Sequence, residues 1–214
     1  MSEAYPEREP LKLVPPSAEI LHRPAQKVLP AEIGTPELEG VIKGLLTMAK
    51  GQQGDPSRST MVGLAAPQVG IDKRIIVVGV DADGLGHVSD FRVYINPLIL
   101  DKSRKQLYGR EGCYSTDRVC CRLWRAERVR LRALGRDGET ILESHDGFSA
   151  RIFQHETDHL KGILCPDQVT DDHDRLWVPK EQFGDFRHNW ATWNQQCPPE
   201  RWEAIKLGQP YQIK

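Results

Sequence analysis

The chain has 214 residues, 39% hydrophobic and 28% charged, which suits one globular domain with a short appendage and excludes collagen-like, wholly disordered and large multidomain readings. Its 29 Lys and Arg against 30 Asp and Glu leave a net charge of -1, so no whole-molecule field recruits nucleic acid or an anionic membrane. The apolar runs at 75–80 and 95–100 fall far short of the roughly 20 residues of a membrane span, and residues 1–10 carry Glu3, Glu7, Arg8 and Glu9 where a signal peptide needs an apolar core.

Prolines cluster between Pro6 and Pro30, and the first 33 residues read as mostly irregular. Thr35, Pro36 and Glu37 then supply a hydroxyl cap, a first-turn proline and an acid at the positive helix end. Leu38, Val41, Ile42, Leu45, Leu46 and Ala49 follow at three- and four-residue spacing, which predicts a helix over 35–50 with one face in the core and a loop over 51–59. Between Met61 and Leu142 short β-branched runs broken by turn residues predict antiparallel strands at 74–80, 91–100, 119–124 and 128–134. Helical spacing returns over 148–164, where Phe148, Ile152, His155, His159 and Ile163 share one inward stripe and Gly162 marks the exit. Past Cys165 and Pro166 the chain turns polar and tryptophan-rich (Trp177, Trp190, Trp193, Trp202), with a boundary at Pro198 and Pro199. The expectation is a main domain over 1–167 and an extension over 168–214 that packs back on it. The five cysteines (Cys113, Cys120, Cys121, Cys165, Cys197) are odd in number and irregularly spaced, a poor disulfide framework that fits a reducing, cytoplasmic compartment.

The strongest chemical signal is QHETDHL, Gln154 to Leu160. Four residues of helix advance about 400° and about 6 Å, so His155 and His159 project from one face one turn apart and can grip one cation. Glu156 is offset from that face yet close enough to act as an acid/base on a water at the ion. Asp158 reads either as a solvated acid or as an acceptor steadying the site. A catalytic metal needs a third ligand and an open position. EGCYS, Glu111 to Ser115, offers Cys113 behind Gly112, where a missing Cβ allows close backbone approach. A lone cysteine is more commonly a small buried hydrophobe, so taken alone Cys113 stays open between the two readings.

Together with GLAAPQ, Gly63 to Gln68, these segments resemble the peptide deformylase family, which carries GLAAxQ, EGCxS and QHExDHL in this chain order. The resemblance covers about 11–167 and implies an α+β fold, antiparallel strands and hairpins packed around a central metal-binding helix, with an N-terminal helix. It implies that Cys113, His155 and His159 hold a divalent ion, Fe2+ by family habit, although a Cys-His-His set also suits Zn2+, Ni2+ or Co2+. By the same resemblance Glu156 shuttles the proton. Gln68 and the backbone N–H of Tyr114 polarise the formyl oxygen, and formate leaves an N-formylmethionyl peptide. Val62, Gly63, Gly112, Phe148 and Ile152 match the family's substrate-binding positions, where Val62, Phe148 and Ile152 read equally as core packing.

Three residues depart from the family pattern: Met61 stands where glycine is usual, Tyr114 where leucine is frequent, and Arg151 where an aliphatic residue is common. Arg151 is expected to snorkel outward. These departures keep open a hydrolase of another formamide or small amide, or an inactive metal-stabilised module. Seven arginines against Glu127 alone in 118–136 read as a solvated strand face with Arg125 paired to Glu111. A basic hairpin there would also suit a transient ribosome contact, in addition to formylated nascent peptides as partners. Neither a membrane nor sequence-specific nucleic acid is expected as a partner.

Overall fold

The computed structural model describes residues 10–51, 61–84, 90–178 and 193–211. The acidic start of the chain, all but the first residue of the loop at 51–59, and Trp190 lie outside the described residues. In chain order the elements are α1 (Pro36–Gly51), β1 (Gly63–Ala65), β2 (Ile75–Gly79), β3 (Phe91–Lys102), β4 (Gln106–Glu111), β5 (Val119–Ala126), β6 (Arg128–Leu134), β7 (Thr140–Asp146), α2 (Gly147–His159), β8 (Arg175–Trp177) and α3 (Pro199–Lys206). The strands form two antiparallel sheets, one in the order β1-β2-β3-β6-β7 and one in the order β4-β5-β8. This is the α+β architecture expected from the sequence. Among the described residues no helix is long and apolar enough to cross a membrane.

The two-residue period of a strand explains how the larger sheet is covered on both faces. Along β2, Ile75 and Val77 point toward α1 and pack with Leu38, Ile42 and Leu45. Ile76 and Val78 point the other way and pack with Ala150, Ile152 and Phe153 of α2. Every residue of β2 is therefore buried. Phe153 meets Tyr94 edge to face, with ring centroids 4.9 Å apart, an arrangement favoured by the aromatic quadrupole. The α1 helix begins as expected, with Thr35 Oγ1 accepting from the Leu38 N–H at 3.3 Å.

α2 stops at His159, five residues before the predicted end. Gly162 adopts φ +76°, and a Cβ there would collide with the backbone of Arg23. Bonds from Gly162 N–H to His159 O and from Ile163 N–H to Asp158 O close the end as a Schellman motif. Five elements lie outside the expected ones: β1, β4, β7, the short β8, and α3 immediately after Pro198. α3 buries Trp202 against Val119 and Leu164, and the Trp202 indole N–H donates to Asp167 at 2.7 Å. The consequence for the site is that α2 lies between the sheets, touching β1, β2 and β7 on one side and β5 on the other.

Candidate metal centre and its surroundings

Cys113 stands two residues beyond the end of β4, and His155 and His159 occupy successive turns of α2. The thiol sulfur and one nitrogen from each ring all lie within 4.8 Å of one another, and all three residues are buried. Sγ of Cys113 stands 3.3 Å from Nε2 of His159, and the two imidazoles cross nearly at right angles with centroids 4.9 Å apart. The sulfur also receives N–H donors, Ser115 N–H at 3.4 Å and Gln68 Nε2 at 3.4 Å.

The donor set fits a divalent cation on three counts. One thiolate and two imidazoles suit iron, zinc, nickel or cobalt and not the oxygen-seeking alkaline earths. His159 is held well below the usual histidine range by burial and then by neighbouring His155, so it is neutral, as a ligand must be. Finally, buried Oε2 of Glu156 has no hydrogen-bond partner among the described residues, a costly state unless something polar enters beside it. Burial raises the Glu156 carboxyl to about 7, against an opposing pull from His155.

Gln68 sits in a short 3₁₀ turn after β1. Its Oε1 accepts from Ala65 N–H at 2.8 Å, which turns its Nε2 toward Ser115 Oγ at 3.1 Å and the Cys113 sulfur. Tyr114 opens the next 3₁₀ turn, and its ring packs on the α1 side of the core. Val62, Phe148 and Ile152 are brought together on the α2 side, sharing one apolar cluster. The close backbone approach belongs to Gly63 rather than Gly112. A Cβ at Gly63 would lie 2.8 Å from Cγ and Cδ of Glu156, whereas one at Gly112 would merely touch Cys120 Sγ at 3.4 Å.

Two of the three sequence departures change meaning in the structure. Met61 packs with the α1 cluster, on the face of β2 turned away from α2. Arg151 does not snorkel outward. It is 7% exposed, and its guanidinium donates to the carbonyls of Leu107, Gly109 and Leu123 and to Glu111 Oε1 at 2.8 Å. Asp158 is likewise no solvated acid, because its Oδ2 accepts from Arg125 Nη1 at 2.5 Å and from Gln168 Nε2 at 3.0 Å.

Sequence reasoning paired Arg125 with Glu111 but missed what that pair holds. Arg125 grips Glu111 through Nε and Nη2, both at 2.8 Å, and Glu111 Oε2 accepts from His155 Nδ1 at 2.9 Å. With Nδ1 so engaged, Nε2 is the atom His155 offers to an ion. Although burial alone would raise it, the Glu111 carboxyl is driven far below the usual carboxylate range by Arg125 and His155, so it is ionised. Glu111 opens the EGCYS segment, but only the third dimension shows which ring it faces. Elsewhere in the arginine-rich stretch Arg122 pairs with Asp174, Arg128 with Asp146 and Arg136 with Glu39.

Comparison with known proteins gives a consistent result. The family profile described as "Polypeptide deformylase" matches residues 10–175. A peptide deformylase of Symbiobacterium thermophilum is 39% identical over 161 residues, 75% of this chain and 67% of that protein. Peptide deformylase 1 of Bacillus cereus is 35% identical over 160 residues, 75% of this chain and 92% of that protein. Among solved structures, a class I type b peptide deformylase from Acinetobacter baumannii with Met-Ala-Ser bound superposes with a TM-score of 0.67 at 32% identity, covering 74% of this chain and 98% of that one.

Proposed function

The chain belongs to the peptide deformylase family and hydrolyses the N-formyl group of peptides, and on that premise we propose that Cys113, His155 and His159 hold its divalent ion and Glu156 moves its protons. The observation that carries this assignment is the convergence of one sulfur and two imidazole nitrogens within 4.8 Å on α2 and the end of β4, with the unpartnered Glu156 oxygen on the same helix. A cation at this position supplies Lewis acidity, which polarises a formyl carbonyl and makes water nucleophilic at neutral pH.

The remaining steps are the work of side chains. A carboxyl near pH 7 can take a proton from the attacking water and return it to the leaving amine without a large driving-force penalty in either direction. Gln68 Nε2, already aimed at the Cys113 sulfur, and the Tyr114 N–H are the proposed donors to the oxygen that becomes negative; one such donor contributes about 3 kcal/mol. Formate and a free amine result.

For the substrate we propose N-formylmethionyl peptides, with the apolar first side chain against Val62, Phe148 and Ile152. Support comes from that shared cluster, from the Met-Ala-Ser bound to the A. baumannii relative, and from the positions of Met61 and Arg151, which put neither an altered strand nor a free charge against the substrate. The proposed ion is Fe2+, which Zn2+, Ni2+ or Co2+ could replace in the same donors. Residues 168–214 are proposed to form a C-terminal extension that packs on the catalytic domain, a reading supported by the pairing of β8 with β5 and the seat of Trp202 beside Val119 and Leu164.

The test is formate release from formyl-Met-Ala-Ser by anaerobically prepared protein, with elemental analysis of the same sample. The reading requires turnover with about one transition-metal ion per chain and loss of turnover, with the ion retained, in Glu156→Ala. A Glu156→Ala variant as active as the parent refutes the proton assignment.

A further inference from the structure

Around the proposed ligands lies a buried ionic cluster that the reaction itself does not use: Glu111, Asp158, Arg125 and Arg151, all under a tenth exposed. Two carboxylates face two guanidiniums, so the cluster is neutral as a set. Each acid is in direct contact with at least one arginine at 2.8 Å or less. A balanced buried set of this kind tolerates poorly the loss of one member, since the partner charge stays behind without compensation.

Its layout is mechanical. Arg151 and Asp158 stand four residues before and three residues after His155, on the same side of α2. Arg151 reaches across to β4 and β5, donating to Leu107 O at 2.6 Å and to Gly109 O and Leu123 O at 3.2 Å. Asp158 reaches the same sheet through Arg125 of β5. Both paths meet on Glu111, the last residue of β4, two residues ahead of Cys113 and bonded to His155. The histidine ligands ride on the helix and the sulfur ligand follows two residues after the end of the strand, so their separation is set by whatever ties helix to strand.

We propose that Arg151 is a positioning residue of the centre: by clamping α2 onto β4 and β5 and saturating Glu111 Oε1, it fixes the distance from Cys113 to the two histidines and the angle at which His155 presents Nε2. Gly109 is the matching half of the device. A Cβ there would lie 2.9 Å from Nη2 and 3.0 Å from Cζ of Arg151, so glycine is what lets the guanidinium lie flat on the strand. The clamp rests on the Cys113, His155, His159 assignment above, and its test separates the two.

The experiment measures the dissociation constant of Co2+ by chelator competition, and the visible spectrum of the cobalt form, in parent, Arg151→Leu, Arg151→Lys and Gly109→Ala proteins, with melting curves alongside. Outer partners of metal-bound histidines are typically worth about 10- to 100-fold in affinity. Arg151→Leu should therefore weaken cobalt binding by about that factor and alter the thiolate-to-cobalt band, while Arg151→Lys, which keeps the charge but not the fork, recovers part of the loss. Gly109→Ala displaces the guanidinium without deleting a buried charge, so it should weaken cobalt binding in the same direction even where Arg151→Leu does not fold. Unchanged affinity and spectrum in Gly109→Ala, or in a folded Arg151→Leu whose melting point alone has dropped, would overturn the clamp. Absence of a thiolate band in the parent itself would instead overturn the ligand assignment.

Discussion

Replacing Gly63 with alanine tests the reaction geometry without deleting any reacting group. Gly63 pairs with Val78 in β1 and β2, and its φ is not in the left-handed region, so the backbone accepts alanine. Strand propensity even favours the change by about 0.5–1 kcal/mol. The obstacle is Glu156. The new Cβ would come within 2.8 Å of both Cγ and Cδ and nearer still to Oε1, where ordinary contact begins at 3.4 Å. α2 is held by Ala150 and Phe153 in the core and by the ionic cluster beside His155, so the side chain gives way and the helix does not. A carboxylate retreat on the order of 1 Å costs roughly 10²-fold in rate, about 2.7 kcal/mol of transition-state stabilisation. Expected for Gly63→Ala, then, is a melting temperature near the parent's, the parent's metal content, and formate release from formyl-Met-Ala-Ser down about 100-fold in kcat. Parent-like turnover with the ion in place would show that Glu156 does not need its present seat and would remove the geometric argument for its role.

Gln68→Ala should lower kcat by about 10²- to 10³-fold and leave roughly one ion per chain, because the donor acts on charge that develops during attack; metal analysis beside steady-state kinetics checks both halves. Trp202→Ala empties a side chain that is 2% exposed and removes one donor to Asp167 Oδ1, to which Lys206 still donates, so stability should fall by about 3–5 kcal/mol in urea titration while kcat at low temperature stays at the parent value. Glu156→Gln carries a pH signature in the metal-free protein. The carboxyl is raised from 4.5 to about 7 by desolvation, so the folded parent holds a proton that the unfolded chain releases between those values, and its stability falls as pH rises across that window. Metal-free Glu156→Gln lacks this loss and should exceed the parent by up to about 3 kcal/mol at pH 8, with the gap closing toward pH 5; an equal gap at both values would contradict the assigned desolvation.

How much of this was legible in the chain depended on the range of the interaction involved. α1 and the histidine face of α2 follow from spacing and caps that act within four residues, and they were read correctly. β4 was missed because Gln-Leu-Tyr-Gly-Arg-Glu carries a glycine where a strand former is expected. That glycine is explained only by Arg151, 42 residues later, lying across it. Arg151 itself looked like a surface residue because nothing local shows that three strand carbonyls and a carboxylate await it. β8 has only three residues and exists through pairing with β5 and a bridge from Leu176 to Gln196. The end of α2 was misplaced although Gly162 had been noted, because hydrophobic spacing runs on through Ile163 after the backbone has already turned. The motif residues fared differently. The three segments are brought together by the fold, and the Arg125–Glu111 pair was legible too, whereas Arg151 has no local pattern to announce its place beside Glu111.

Among the described residues two triads of buried donors share His155, Cys113 with His159 on one side and Glu111 with Cys165 on the other, and the account stands on the first. X-ray absorption at the metal edge of anaerobically prepared, active protein distinguishes them directly. One sulfur and two imidazole scatterers, with the sulfur lost in Cys113→Ser and kept in Cys165→Ser, is the predicted result. A sulfur shell that survives Cys113→Ser and disappears in Cys165→Ser would place the ion in the wrong triad and contradict the account.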